Sequence, residues 1–189
     1  MSDRTLRVLS VASEAYPLVK TGGLADVVGA LPRALAREDV SVRTLLPGYP
    51  AVLAAMGDAR VVHEYRDLMG GPARLLAGEG GGLDLVAIEA PHLYRRTGNP
   101  YLDAQGRDWS DNALRFGALA RVAADIGRGL LPDSVPDVLH AHDWQAALLP
   151  AYLAYEDGPR PATVLTIHNL AFQGQFPADL LEPLGLPPR

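Results

Sequence analysis

Apolar and polar positions along this chain fall into runs of strand length and stripes with helical spacing. Residues Leu6–Ala12 form an apolar run that predicts a buried strand. The next apolar residues recur three and four positions apart, which predicts an amphipathic helix beginning just after Gly22-Gly23. That stripe consists of Leu24, Val27, Val28, Leu31 and Leu35. Further strands are predicted at Ser41–Leu46, Asp137–Ala141 and Thr163–Ile167.

The remaining segments predict hairpins, a loop and two more helices. Residues 58–90 indicate short strands and hairpins, with Gly78–Gly82 as a flexible hairpin loop. Residues 91–109 are polar and aromatic, which is typical of a surface loop with binding potential. A helix capped by Ser110 or Asp111 is predicted to carry Leu114, Ala118, Val122 and Ile126 on one face. A helix over Gln145–Glu156 is predicted to turn Leu148, Ala151, Tyr152 and Tyr155 inward.

Apolar strands separated by helices predict an α/β fold with a parallel sheet covered on both faces. In such sheets, ligands bind at the carboxyl ends of the strands. Lys20, Asp143 and His168 each follow the end of a predicted strand. The pattern therefore predicts one site along one edge of the sheet.

Length and composition narrow the class of protein. The 189 residues suffice for one well-buried domain, with little room for a second. Lys and Arg total 17 against 22 Asp and Glu, a net charge of −5, which argues against nucleic acid as the main partner. There is no cysteine, so disulfide and thiolate chemistry are excluded. The longest apolar run, Ala146–Tyr155, is about half a membrane span, so we expect a cytoplasmic protein without membrane contact.

The segment from Lys20 to Val27 has the outline of a diphosphate site. Gly22 and Gly23 allow a tight turn and a close approach of backbone N–H groups, while Lys20 and the following helix N-terminus supply positive charge. Asp26 lies in the first helical turn, where it either interacts with the helix dipole or orients Lys20 or a substrate hydroxyl. Neither a Walker A sequence nor a dinucleotide fingerprint is present, and by itself Gly-Gly before a helix is often only a turn.

The segment Glu14–Val27 resembles the opening of bacterial glycogen synthases and plant starch synthases. Three further blocks match the same family in the same order: Gly98–Tyr101, His140–Gln145 and Thr166–Gly174. The likeness runs from about Leu6 to about Phe176, so it covers almost the whole chain.

This resemblance implies a Rossmann-like, parallel-sheet N-terminal domain of a glycosyltransferase B fold that is incomplete. Residues 1–189 would be a truncated N-terminal starch synthase catalytic domain, and the second, nucleotide-binding domain would be absent. The implied activity is transfer of glucose from ADP-glucose to the non-reducing end of glycogen or another α-1,4-glucan, with retained configuration. No cofactor, no metal and no nucleic-acid partner are implied, whereas the missing C-terminal domain of the same enzyme is an implied partner.

The resemblance also implies roles for single residues. Lys20, Gly22, Gly23 and Asp26 would bind the nucleotide sugar, and Tyr101 would border the same cleft. His168 and Asn169 would lie against the transferred glucose, with His168 and Asp143 as the catalytic residues and Asp143 accepting hydrogen bonds from sugar hydroxyls. Several residues also have an interpretation without a ligand role. Lys20 would be a solvated loop residue, His168 a strand-end residue, His140 a hydrogen-bonded core residue, and Trp144 would pack under its loop.

Two other functions stay open on sequence alone. The chain is alternatively a glucan- or nucleotide-binding fragment without catalysis, or part of another glycosyltransferase such as a sucrose or trehalose-phosphate synthase. Since the glutamate and basic residues of the second domain cannot be located here, we expect this polypeptide alone to be inactive.

Overall fold

The computed structural model describes residues 5–187 and contains one seven-stranded sheet. The strands lie in the order β3-β4-β5-β2-β1-β6-β7. Their bounds are β1 Leu6–Val11, β2 Val40–Pro47, β3 Arg60–Tyr65, β4 Ala73–Gly80, β5 Leu83–Glu89, β6 Val138–His142 and β7 Ala162–Thr166. The helices are α1 Gly23–Leu35, α2 Pro50–Ala55, α3 Pro91–Tyr94, α4 Asn112–Gly127, α5 Asp143–Ala146 and α6 Leu149–Tyr155. Short 3₁₀ turns lie at Ala36–Glu38, Pro132–Ser134 and Ala178–Leu180.

The sheet is parallel over five strands and antiparallel at one side. Strands β5, β2, β1, β6 and β7 pair in parallel, while β3 and β4 join by antiparallel pairing. The hairpin between β4 and β5 is tighter than predicted, because β4 continues to Gly80 and only Gly81 and Gly82 form the turn. Both have positive φ, +58° and +79°, which two-residue hairpins require and glycine adopts without strain. The predicted α/β class is confirmed, with a mixed sheet.

Helix α4 lies at the centre of the molecule. The sequence predicted one apolar face, but the helix is buried on nearly every side, including Arg115, which is 1% exposed. Its many alanines and glycines let neighbouring elements approach closely, since a Cβ at Gly117 would lie 2.3 Å from the Leu184 side chain. Arg115 is satisfied by the carbonyls of Leu93 and Pro100 and by Asn112.

The predicted helix over Gln145–Glu156 is two helices, α5 and α6. The break falls before Pro150, which lies in the first turn of α6, where its missing N–H is tolerated. Tyr152 is buried as predicted, and its hydroxyl donates to the carbonyl of Leu184 at 2.7 Å. Tyr155 is 67% exposed, so the prediction that it turns inward is wrong. Leu148 and Ala151 pack against the core as predicted, so only Tyr155, the last residue of α6, departs from the prediction.

Strand β7 lies where it was predicted, yet most of its side chains are exposed to solvent. It is the last strand in the sheet order and pairs only with β6. Side chains on both of its faces are accessible, with Val164 47% and Leu165 44% exposed. Apolar exposure continues past the strand, through Ile167, Leu170, Phe172 and Phe176. No helix in residues 5–187 is long and apolar enough to cross a membrane.

Candidate functional site

Three neighbouring strands carry the predicted site residues at their carboxyl ends. Val11 at the end of β1 pairs with Ala141 of β6, and His142 pairs with Thr166 at the end of β7. The segment after β1 leads to Lys20, α5 begins at Asp143, and His168 follows β7. The arrangement along one edge that the strand pattern predicted is therefore present.

Lys20 is paired with Asp26 across the start of α1. The Lys20 ammonium donates to both carboxylate oxygens of Asp26, each at 2.7 Å, and lies 5.9 Å from the ring centre of Tyr16. Both side chains of the pair are about half exposed, at 46% and 53%. An exposed pair of this kind contributes about 0–1 kcal/mol to stability, so it orients the lysine more than it stabilises the fold. An anionic ligand can compete for the ammonium.

Gly22 and Gly23 leave the N-terminus of α1 open. Gly22 caps the helix in an extended conformation, with φ −145°, and neither glycine has positive φ. The tight turn expected of them therefore does not need glycine for conformational reasons. A Cβ at either position would meet no atom within 4 Å, and no side chain caps the helix. The first N–H groups of α1 are thus accessible to an anion.

Glu14 joins the lysine loop to the loop that carries Tyr101. Glu14 is buried, at 3% exposed. Its carboxylate accepts hydrogen bonds from the Thr21 N–H, from the Thr21 hydroxyl at 2.8 Å and from the Tyr101 hydroxyl. The Tyr101 hydroxyl has one hydrogen, which it donates to Glu14. The Ser13 hydroxyl is therefore the donor in its 2.8 Å contact with the Tyr101 oxygen. Burial and the Glu14 carboxylate raise the pKa of Tyr101, which keeps the phenol protonated.

The sequence alone did not indicate a role for Glu14, although this residue begins the first motif. The available signal was a carboxylate placed directly after a buried apolar strand, where it must find hydrogen-bond partners. Its partner Tyr101 is 87 residues away, which no local pattern reveals.

Three histidines lie side by side at the ends of β6 and β7. His142 is fully buried; its Nε2 lies 3.1 Å from the Ser10 hydroxyl and its Nδ1 lies 3.0 Å from His168 Nε2. His140 Nε2 lies 2.7 Å from the Thr166 hydroxyl, so His140 is the hydrogen-bonded histidine that the sequence offered as one interpretation. Burial, reinforced by the neighbouring His140 and His168, lowers the pKa of His142 to about 3. Burial and His168 also lower the pKa of His140.

Asp143 holds the backbone of His168. One of its carboxylate oxygens accepts the His168 N–H at 2.6 Å, and Asp143 itself has a left-handed φ of +56°. Aspartate is one of the few residues that tolerate this conformation, and such outliers cluster at functional sites. Asn169 turns its side-chain oxygen to the Ala171 N–H at 2.9 Å, a local turn contact. The ligand contacts expected of Asp143 and Asn169 stay predictions.

Trp144 packs under the loop after β7, whereas the sequence predicted that it packs under the loop after its own strand, β6. Its ring lies 5.1 Å from that of Phe116 and 5.6 Å from that of Phe176. Gly174 crosses it so closely that a Cβ would lie 2.4 Å from the indole. Within residues 5–187, no set of three His, Asp or Glu side chains is placed to hold a metal ion.

The predicted site residues form two groups. Lys20, Gly22, Gly23, Asp26 and Tyr101 belong to the first, around Glu14, while Asp143, His168 and Asn169 form the second. Among the residues described, no hydrogen bond joins the groups directly. Strand β1 connects them, because Ser10 contacts His142 while Ser13 and Glu14, just beyond the strand, hold Tyr101.

Comparison with known proteins gives a consistent result. The family model described as starch synthase catalytic domain matches residues 7–189. A glycogen synthase of Rhodopseudomonas palustris (strain BisB18) is 67% identical over 95% of this chain and 37% of its own length. Glycogen synthase 2 of Bradyrhizobium diazoefficiens is 60% identical over 96% of this chain and 38% of its own length.

A solved structure is also similar. The catalytic domain of starch synthase IV from Arabidopsis thaliana, bound to ADP and acarbose, superimposes with a TM-score of 0.80 at 28% identity. The match covers 96% of this chain and 38% of that one, so this chain spans little more than a third of the proteins it resembles. The match over residues 7–189 shows that the chain belongs to the starch synthase catalytic domain family.

Proposed function

We propose that this chain forms the N-terminal part of an ADP-glucose-dependent glucan synthase. The whole protein would transfer glucose from ADP-glucose to the non-reducing end of glycogen or another α-1,4-glucan, with retained anomeric configuration. The reaction would take place in the cytoplasm and need no cofactor besides the nucleotide sugar.

The chemistry of the transfer fits the two groups of residues. When the anomeric C–O bond breaks, negative charge builds on the leaving diphosphate and positive charge on the sugar ring. Lys20 and the uncapped N-terminus of α1 would stabilise the diphosphate, which their positive charge and accessible N–H groups support. His168, which Asp143 and His142 hold in position, would hydrogen-bond the transferred glucose.

The observation that carries this proposal is the convergence of both groups on one edge of the sheet. The lysine segment follows β1 and His168 follows β7, and only β6 lies between these two strands. In parallel sheets, this edge is where ligands bind. The relative solved with ADP and acarbose has the same fold over this region.

Transfer also needs a second wall to the cleft. Water must be excluded and the remaining contacts completed, and this chain spans only 37–38% of its relatives' length. We therefore propose that the 189-residue chain by itself does not catalyse transfer.

The test is a glucosyl-transfer assay with labelled ADP-glucose and glycogen. It compares the full-length protein that carries this sequence, its His168→Ala variant and the 189-residue chain. Incorporation of label by the full-length protein alone supports the proposal. If the full-length protein binds glycogen or ADP-glucose but incorporates no label, the non-catalytic alternative replaces it. Incorporation by the purified 189-residue chain contradicts the proposed need for a second wall.

A further inference from the structure

His142 uses both of its ring nitrogens within the protein. Nε2 lies 3.1 Å from the Ser10 hydroxyl, Nδ1 lies 3.0 Å from His168 Nε2, and the residue is 0% exposed. A neutral imidazole has one donor and one acceptor, so these two contacts satisfy it completely. The low pKa of His142, about 3, agrees with a ring that stays neutral. Because His142 is buried, it does not itself meet a substrate.

The same contacts fix His168 at two points. Its Nε2 is hydrogen-bonded to His142 Nδ1. The two rings also stack, with their centres 5.3 Å apart and an angle of 20° between their planes. Its backbone N–H donates to Asp143 at 2.6 Å. The other ring nitrogen, Nδ1, has no hydrogen-bond partner in the part of the chain that the structure describes. Nδ1 is therefore the ring atom available to a ligand.

We propose that His142 is a positioning residue that fixes the ring orientation of His168 and links the tautomer of His168 to its own, through the series Ser10–His142–His168. The proposal rests on the proposed function, because it takes His168 to be the histidine that contacts the transferred glucose. The strand pattern alone does not assign His142 this role.

The proton positions on Ser10, His142 and His168 depend on one another. If the Ser10 hydroxyl donates to His142 Nε2, then His142 Nδ1–H donates to His168 Nε2, and His168 carries its proton on Nδ1. If His142 Nε2–H donates to Ser10 instead, His168 donates from Nε2 and its Nδ1 is a bare acceptor. In both arrangements His168 presents one defined atom to a sugar hydroxyl. Loss of the His142 contact releases the ring to rotate and to exchange tautomers.

A merely structural role would give a different result. In that case His142 would stabilise the ends of β1, β6 and β7 through buried hydrogen bonds, and any substitution would act through stability. Two amide side chains separate the roles. Asparagine places its amide near the position of Nδ1, so it can keep the contact with His168. Glutamine reaches the position of Nε2, so it can keep only the contact with Ser10.

The experiment measures kcat, KM for ADP-glucose and thermal midpoint in the full-length protein. We expect His142→Gln to lower kcat by about ten- to a hundredfold, by analogy with the loss of an outer partner of a metal-bound histidine. KM should change little, and His142→Asn should restore most of kcat. His63→Gln, on the edge strand at the other side of the sheet, is the matched control and should match wild type. The proposal is overturned if the Asn and Gln variants have the same kcat. This holds if both values are normal, and also if both are reduced in step with the thermal midpoint.

A double substitution tests whether His142 acts through His168. In a His168→Ala background, His142→Gln should cause no further loss of kcat, since the residue it positions is gone. A loss of the same size in both backgrounds contradicts the proposal. If His168→Ala alone has normal kcat, the proposed role of His168 fails. If His168→Ala is impaired while His142→Gln is not, only the positioning role fails.

Discussion

The two ends of the candidate site differ in how this chain supports them. Around Glu14, the lysine loop and Tyr101 are tied together by buried hydrogen bonds. Beyond β7, Leu170 and Phe172 are 73% and 66% exposed, and the strand itself has a neighbour on one side only. His168 lies between these regions, anchored by His142 and Asp143 on the inner side. Polar anchoring of a site and apolar burial of its surroundings are therefore separate properties in this chain.

The largest effect is expected at His168, where the two regions meet. In the full-length protein, His168→Ala should lower kcat about a hundred- to a thousandfold, roughly 2.7–4 kcal/mol, by analogy with a lost oxyanion-hole donor. The thermal midpoint should fall only moderately, because His168 itself is half-buried while its loss leaves Nδ1 of the buried His142 without a partner. Both quantities are measured on one preparation, with His63→Ala as control. An early-melting variant that turns over normally contradicts a catalytic role.

Glu14 tests the anchored region. Glu14→Ala leaves the Thr21 N–H and the Tyr101 hydroxyl without their acceptor, which should cost about 1–3 kcal/mol in the free energy of unfolding. Glu14→Gln keeps one acceptor oxygen and should cost less. Chemical denaturation of the 189-residue chain measures both. If the two variants are as stable as wild type, the Glu14 contacts do not hold this region together.

Substitutions at Lys20 test whether the region around Glu14 binds a diphosphate. In the full-length protein, Lys20→Ala should lower kcat/KM for ADP-glucose by about tenfold or more, since a hydrogen bond to a charged group contributes about 1.5–3 kcal/mol. Lys20→Arg retains the charge with altered geometry and should lose less. Arg60→Ala, which removes an exposed cation on the edge strand β3, is the control and should match wild type. Wild-type kinetics in both Lys20 variants would remove the lysine from the site.

The smallest effect is expected in the exposed region. In the 189-residue chain, Leu170→Ser should change the free energy of unfolding by no more than about 0.5 kcal/mol, as surface substitutions usually do. Leu149→Ser is the buried counterpart, at 0% exposed, and should be strongly destabilising. Urea denaturation compares them. A Leu170→Ser cost equal to that of Leu149→Ser would show that the exposed segment is buried in solution.

Local pattern was sufficient to predict most elements of this fold. Apolar runs located β1, β2, β6 and β7 to within one or two residues, because strand burial leaves a direct trace in sequence. The break before Pro150 and the all-round burial of α4 were missed, since both depend on how elements pack. The exposure of β7 was missed for a similar reason: an apolar strand looks the same at the centre and at the edge of a sheet.

The candidate site was predictable in position but not in its connections. Lys20, Asp143 and His168 follow strands that the pattern revealed, so their shared edge could be inferred. Ser10 and His142 are 132 residues apart, and only the parallel pairing of β1 with β6 brings them into contact. Glu14 likewise meets Tyr101 only in the folded chain.

The central claim is that the lysine loop and His168 border one substrate. A crystal structure of the full-length protein with ADP-glucose or ADP and a short α-1,4-glucan tests it most directly. The account predicts a diphosphate oxygen within hydrogen-bond distance of Lys20 Nζ, first-turn N–H groups of α1 directed at the same phosphates, and His168 Nδ1 on a sugar hydroxyl. A diphosphate bound elsewhere, with Lys20 still paired to Asp26 and His168 Nδ1 away from the sugar, would contradict it.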